Sequence, residues 1–179
     1  VTAVKIKGVA HEFSTIDGVL EDVVDLILNL KQLRVKLHTD EPQRLSIKEK
    51  GEKEVTAKDI EASSGVEIVN KDLHIATLTD KKAEFELEIT VESGRGYVPV
   101  EERQKDKLEI GMLAIDASFT PVRKVNYTVE KMRVGDRTDY NKLRFHIETD
   151  GTFSPDEAFK KATEILLAQF GAVANFEEK

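Results

Sequence analysis

The side chains in this sequence with types suited to acid–base or metal chemistry are four histidines and a few aspartates. His11, His38, His74 and His146 are scattered, and none pairs with another at the helical or finger-like spacing of a zinc site. His11-Glu12 lacks the second histidine of a zinc-protease helix. Asp116, Asp136 and Asp139 are the carboxylates that a small metal-dependent hydrolase or a nucleotide-binding enzyme would use, and such an enzyme is the alternative reading of the chain. They fall in separate predicted elements, and Asp136 and Asp139 suit the capping of a turn better than a metal. Gly94-Arg95-Gly96 has the start of a dinucleotide loop, but Pro99 occupies the third glycine position and cannot open the required helix in register. There is no Gly-Lys-Ser/Thr phosphate loop and no serine-nucleophile signature. The expectation is a chain with no catalytic residue, no cofactor and no metal of its own.

Other residues suit contact rather than catalysis. Ser93-Gly94-Arg95-Gly96-Tyr97-Val98-Pro99 follows a clean alternating strand, Ala83 to Glu92, with Ala83, Phe85, Leu87, Ile89 and Val91 on one face. Two glycines allow the backbone to turn sharply, and Pro99 holds Val98 extended. The loop should present Arg95 and Tyr97, residue types favoured in protein–protein contacts. Arg133, Arg137, Lys142 and Arg144 cluster around a late hairpin. They read either as a solvated face or as a surface for an acidic partner.

The bulk composition narrows the field further. The chain has 179 residues, 40% of them hydrophobic, enough for one large or two small folded units. With 27 basic and 34 acidic residues its net charge is -7, which does not suit broad binding to a phosphate backbone. The absence of cysteine removes thiol chemistry and disulfides and fits a cytoplasmic protein. No apolar run approaches the roughly 20 residues of a membrane span, and no signal peptide is visible. The sequence opens at Val1, without an initiating Met and inside a strand pattern, so a fragment is expected.

The elements that must position these residues can be read from periodicity. A strand over Val1 to Lys7 is followed by a helix capped by Ser14 or Thr15, with Asp17, Glu21 and Asp22 in its first turns and Lys31 at its end. Leu20, Val23, Val24, Ile27 and Leu30 form its apolar stripe. Strands are predicted at Leu33 to His38, Arg44 to Lys48, Val66 to Val69 and His74 to Leu78, with Val55 to Ile60 ambiguous. Pro99 to Glu109 reads as a solvated loop. Val125, Tyr127 and Val129 share one face of a late strand, and Leu143, Phe145 and Ile147 one face of the next, around a turn holding Gly135, Asp136 and Asn141. The last helix opens on a capping box, Ser154-Pro155-Asp156-Glu157. Its apolar residues Phe159, Ala162, Leu166, Phe170 and Val173 are joined by Ile165 and Leu167, a stripe wide enough for two neighbours: its own sheet and a second copy of the chain. The fold class is α+β. Its arrangement is a smaller unit, made of the first strand, the late strands and the last helix, interrupted by a mixed, mostly β block.

The ordered series of segments resembles the N-terminal domain of the bacterial RNA polymerase alpha subunit. It runs from Gly8-Val9-Ala10-His11-Glu12-Phe13-Ser14-Thr15 and the helix ending Asn29-Leu30-Lys31, through Val66-Glu67-Ile68-Val69 and Leu78-Thr79-Asp80, to Arg95-Gly96-Tyr97-Val98-Pro99. It continues with Ile115-Asp116, Thr120-Pro121-Val122, Tyr127-Thr128-Val129-Glu130, Asn141-Lys142-Leu143, Thr149-Asp150-Gly151-Thr152 and Pro155-Asp156-Glu157-Ala158. The resemblance implies an insert subdomain over 1–122, its first strand bordering the dimerisation unit, and the C-terminal part of that dimerisation subdomain over 123–179. It implies a non-catalytic assembly scaffold that dimerises and binds the beta and beta-prime subunits, which would carry the magnesium-dependent nucleotidyl transfer. DNA would be met only through the assembled enzyme. The implied contact residues are Lys31, Arg95, Tyr97, Pro99, Ile115 and Pro121. The implied dimer residues are Phe159, Ala162, Leu166, Phe170 and Val173. The family's N-terminal helix, with its arginine pair, and its C-terminal DNA-binding domain have no counterpart in this sequence. Dimerisation by this chain would therefore rest on the last helix and the late hairpin.

Overall fold

In the computed structural model, which describes residues 1–103, 109 and 111–174, the chain is α+β and divides into two compact units, Val1–Thr120 and Pro121–Lys179. The first unit is organised by the strand with the cleanest alternation. Strand β1 (Ala3–Ile6) precedes helix α1 (Val23–Lys31), strands β2 (Val35–Leu37), β3 (Gln43–Lys50), β4 (Lys53–Thr56), β5 (Val66–Ile68) and β6 (His74–Leu78), and then β7 (Glu84–Val91). After β7 come β8 (Tyr97–Val98), the short helix α2 (Val100–Arg103), β9 (Met112–Ala114) and β10 (Ala117–Ser118). The main sheet is antiparallel in the order β3-β7-β1-β9, and β2-β5, β4-β6 and β8-β10 form separate two-stranded ladders. Register places Leu45, Ile89, Val4 and Leu113 in one row across the four strands, and Ile47, Leu87 and Ile6 in the next. Those rows, with Phe85 and with Val23, Leu26 and Leu30 of α1, make one continuous hydrophobic core.

Helix α1 begins later than its periodicity suggests. Gly18 takes a positive φ of 76°, and a Cβ there would sit 2.8 Å from the Ala83 Cβ. Val19 bridges Leu78, Leu20 N–H donates to the Thr77 carbonyl, and Thr79 N–H donates to the Gly18 carbonyl. Residues 18–20 thus extend along β6, a tertiary pairing that overrides local helix propensity. Asp22, not Ser14 or Thr15, is the N-cap, accepting from Asp25 N–H at 2.8 Å. Leu20 is correspondingly exposed rather than part of the buried stripe.

Three other expectations are corrected. The first strand does not join the late strands: it pairs with β7 and β9 inside the first unit, because its alternating apolar face completes that core. The charged stretch after Pro99 is helical over Val100–Arg103, while residues 104–108 of that predicted loop lie outside the described residues. The ambiguous run Val55 to Ile60 splits into the end of β4 and a single helical turn, Ala57–Asp59.

The second unit is a long hairpin and a helix. Strands β11 (Val122–Val134) and β12 (Arg137–Thr149) meet at Gly135, whose φ of 61° suits a tight turn. Asn141, expected in that turn, lies within β12 opposite Lys131. Val125–Ile147, Tyr127–Phe145 and Val129–Leu143 are cross-strand pairs on one face. Helix α3 (Pro155–Ala174) carries the expected capping box: Glu157 N–H donates to Ser154 Oγ at 3.3 Å, and Ser154 N–H donates to the Glu157 carboxylate at 2.9 Å.

Candidate protein-binding site

The Ser93–Pro99 segment leaves β7 and returns against the bend between β9 and β10. Glycine at position 94 lets the backbone pass close to Phe119, since a Cβ there would fall 2.7 Å from the ring and force it to shift. Gly96 follows with a φ of 68°, and its carbonyl accepts from Phe119 N–H at 2.8 Å. Val98 and Tyr97 then pair with Ala117 and Ser118. The loop is therefore held by backbone geometry, with Arg95 and Tyr97 exposed at its surface.

A single carboxylate joins this loop to the end of α1. Asp116 Oδ2 lies 3.1 Å from Lys31 Nζ, and Asp116 Oδ1 accepts from Val100 N–H at 3.1 Å. The Lys31 ammonium first, and then the Val100 N–H, hold the Asp116 carboxyl below its ordinary pKa against the opposing effect of its burial. Lys31, the Tyr97–Pro99 segment and the Ile115–Asp116 bend are thus brought together. Sequence reasoning places Asp116 among the family-like segments and among possible metal ligands, but does not single it out as their meeting point. Lys31 and Asp116 are 85 positions apart, and no local pattern pairs them.

The other sequence-nominated residues fall in different environments. Ile115 is 2% exposed, and its N–H donates to the Thr2 carbonyl, so it belongs to the core and cannot itself be a contact residue. An apolar β-branched residue after a short strand reads the same in sequence whether it faces in or out. Pro99 is half-buried beside α2. Pro121 opens the second unit, its carbonyl accepting from Asp150 N–H at 2.9 Å.

In the second unit the nominated dimer residues share one helix and are left uncovered. Phe159 meets Phe145 with ring centroids 5.2 Å apart, and Tyr127 lies 6.2 Å from Phe145. Beyond that first contact, Ala162, Leu166, Phe170 and Val173 are exposed, as are Ile165 and Leu167. Among the described residues of this unit only Thr152 and Ala158 are buried. It nonetheless carries fourteen of the twenty exposed large hydrophobic side chains among the described residues, so it has almost no core of its own.

The features read as possible chemistry resolve into structural contacts. Asp139 is ion-paired with Arg137 at 2.6 Å, and Asp136 lies 3.6 Å from Arg133. Among the described residues no group of three or more His, Asp or Glu is arranged to hold a metal ion. Arg144 lies 3.6 Å from Glu130, so three of the four basic hairpin residues face acidic neighbours on the hairpin itself. That leaves a solvated face rather than a basic patch. His74 bridges two carboxylates, Glu21 at 2.8 Å and Glu54 at 2.9 Å. Its hydrogen bond to Glu21 raises its pKa above the ordinary 6.5, burial opposing. No described helix is long and apolar enough to cross a membrane.

A family model described as the RNA polymerase Rpb3/RpoA insert domain matches residues 4–120, nearly all of the first unit. The chain belongs to this family. Members of the curated set with similar sequences are named DNA-directed RNA polymerase subunit alpha. That of Symbiobacterium thermophilum is 53% identical, over 93% of this chain and 52% of its own length. That of Carboxydothermus hydrogenoformans is 49% identical over 100% of this chain and 57% of its own. That of Desulfovibrio desulfuricans is 48% identical over 99% of this chain and 51% of its own. The chain spans about half the length of these relatives, and the match to them extends past the insert domain into the hairpin and α3.

Proposed function

We propose that this chain is a non-catalytic assembly scaffold of bacterial DNA-directed RNA polymerase. On this reading the first unit is the insert subdomain, and the second is the C-terminal part of a dimerisation subdomain that the insert interrupts. The scaffold dimerises and docks on the beta and beta-prime subunits in the cytoplasm, while nucleotidyl transfer and DNA contact belong to those large subunits. One observation carries the reading: a unit whose described residues bury only Thr152 and Ala158, yet expose the apolar faces of α3 and the hairpin, is built to be covered by another protein surface. The name borne by the relatives supports polymerase as the assembly. The loop bearing Arg95 and Tyr97 supports a second contact on the insert unit, because it is shaped by backbone bonds and offers exposed Arg and Tyr side chains.

The test is capture of purified beta and beta-prime subunits by the immobilised chain. Arg95→Glu should weaken capture while the melting temperature stays unchanged. Unchanged capture would remove the loop from the contact set, and failure of the unaltered chain to capture either subunit would overturn the scaffold reading.

A further inference from the structure

We propose that Asp116 is the positioning residue of the partner-binding face on the first unit; this rests on the docking role proposed above. Its two carboxylate oxygens serve different chain segments. Oδ2 takes Lys31 at the end of α1, and Oδ1 takes the Val100 N–H that follows the Arg95–Pro99 loop. The side chains of Lys31 and Asp116 are 38% and 33% exposed, so their ion pair alone contributes little. The larger effect is geometric. A segment with two glycines loses much conformational freedom when ordered, and a loop ordered before binding does not bear that cost at the moment of binding.

The carboxylate is itself rigidly mounted. Ile115 is buried beneath it, its N–H bonded to the Thr2 carbonyl at 2.9 Å. Thr2 Oγ1 donates to Glu92 Oε1 at 3.0 Å, just ahead of the loop. Both ends of the loop are therefore tied to the same sheet, through Glu92 on one side and through Val100 and Asp116 on the other. With Lys31 neutralised by Asp116, Arg95 is left projecting from a loop whose two ends are fixed.

Three variants of the full chain separate these roles. Asp116→Ala removes every bond. Asp116→Asn loses the ion pair but keeps a side-chain carbonyl for the Val100 N–H. Lys31→Met removes only the ion pair. Amide hydrogen exchange across 95–100 is followed in the free chain, and dissociation constants are measured for purified beta and beta-prime. Asp116→Ala should speed exchange in that window and weaken capture of one large subunit by about tenfold, with the exchange of the core strands unchanged. Asp116→Asn should restore both readouts to within about threefold of the unaltered chain, and Lys31→Met should leave exchange at 95–100 unaltered. A loosened loop with undiminished capture, or an Asn variant as impaired as Ala, overturns the positioning role and leaves the docking reading standing. If the unaltered chain captures neither subunit, the docking reading falls and the positioning role falls with it. Should Asp116→Ala fail to fold, the Asn and Met variants still decide between the hydrogen bonds and the ion pair.

Discussion

Replacing Leu166 and Phe170 together with glutamate should abolish self-association through α3. Both side chains lie on the uncovered face of the helix, 57% and 70% exposed. Full burial of a Leu or Phe side chain is worth about 1.5–3 kcal/mol, so covering those exposed fractions contributes roughly 1–2 kcal/mol each. In a two-fold dimer each substitution is felt twice, giving a loss of about 4–8 kcal/mol before the cost of placing four carboxylates in an apolar seam. At about 1.4 kcal/mol per tenfold, the dissociation constant should rise by at least roughly a thousandfold. Sedimentation velocity over a wide concentration range reads this directly. The unaltered chain should show a concentration-dependent dimer, and the double variant a monomer throughout. A double variant that dimerises as before would refute the assignment of this face. So would an unaltered chain that stays monomeric at every concentration while α3 remains protected from exchange.

The His74 clip makes stability depend on pH. His74 has a raised pKa, so its contribution is complete below 6.5 and is lost as pH rises through the higher folded value. For Glu21, burial alone would raise the pKa, but the Thr77 N–H and the His74 ring hold it below the ordinary 4.5, so its contribution is lost only as pH falls through that lower value. The stability difference between the chain and its His74→Gln variant should therefore be largest between 4.5 and 6.5 and shrink above, in paired thermal melts; a difference that grows with pH would contradict the clip. Phe85→Ala empties a site only 1% exposed near the start of β7 and should cost about 3–5 kcal/mol in urea unfolding. Gly94→Ala places a methyl 2.7 Å from the Phe119 ring and should cost roughly 1–3 kcal/mol locally, read as faster exchange of the Phe119 amide. Unchanged exchange would mean the ring swings aside freely.

What was legible in the sequence was whatever repeats over short distances. Phe85, Leu87, Ile89 and Val91 alternate, and they are buried on one face of β7. Ser154 and Glu157 stand at capping-box spacing, and they bond reciprocally. What was misread depended on residues distant in the chain. The helix expected from Ser14 or Thr15 lost its first turns to pairing with β6, a strand some sixty positions later. Grouping the first strand with the late strands fails because alternation identifies a strand but not its neighbours, which are β7 and β9. Ile115 was nominated as a surface residue although the sheet buries it.

The sequence by itself determined the kind of protein this is: its ordered segments identified the family, and its element types followed from hydrophobic period, caps and turn glycines. Those are short-range properties, set by backbone geometry and the two periods of helix and strand. The tertiary structure alone decided that Lys31 and Val100 converge on Asp116, and that α3 and the hairpin stand almost without a core. The reason is the same in both cases. Which side chains become neighbours, and which apolar faces remain uncovered, follows from how distant elements pack, and neither is encoded in the residues next to them.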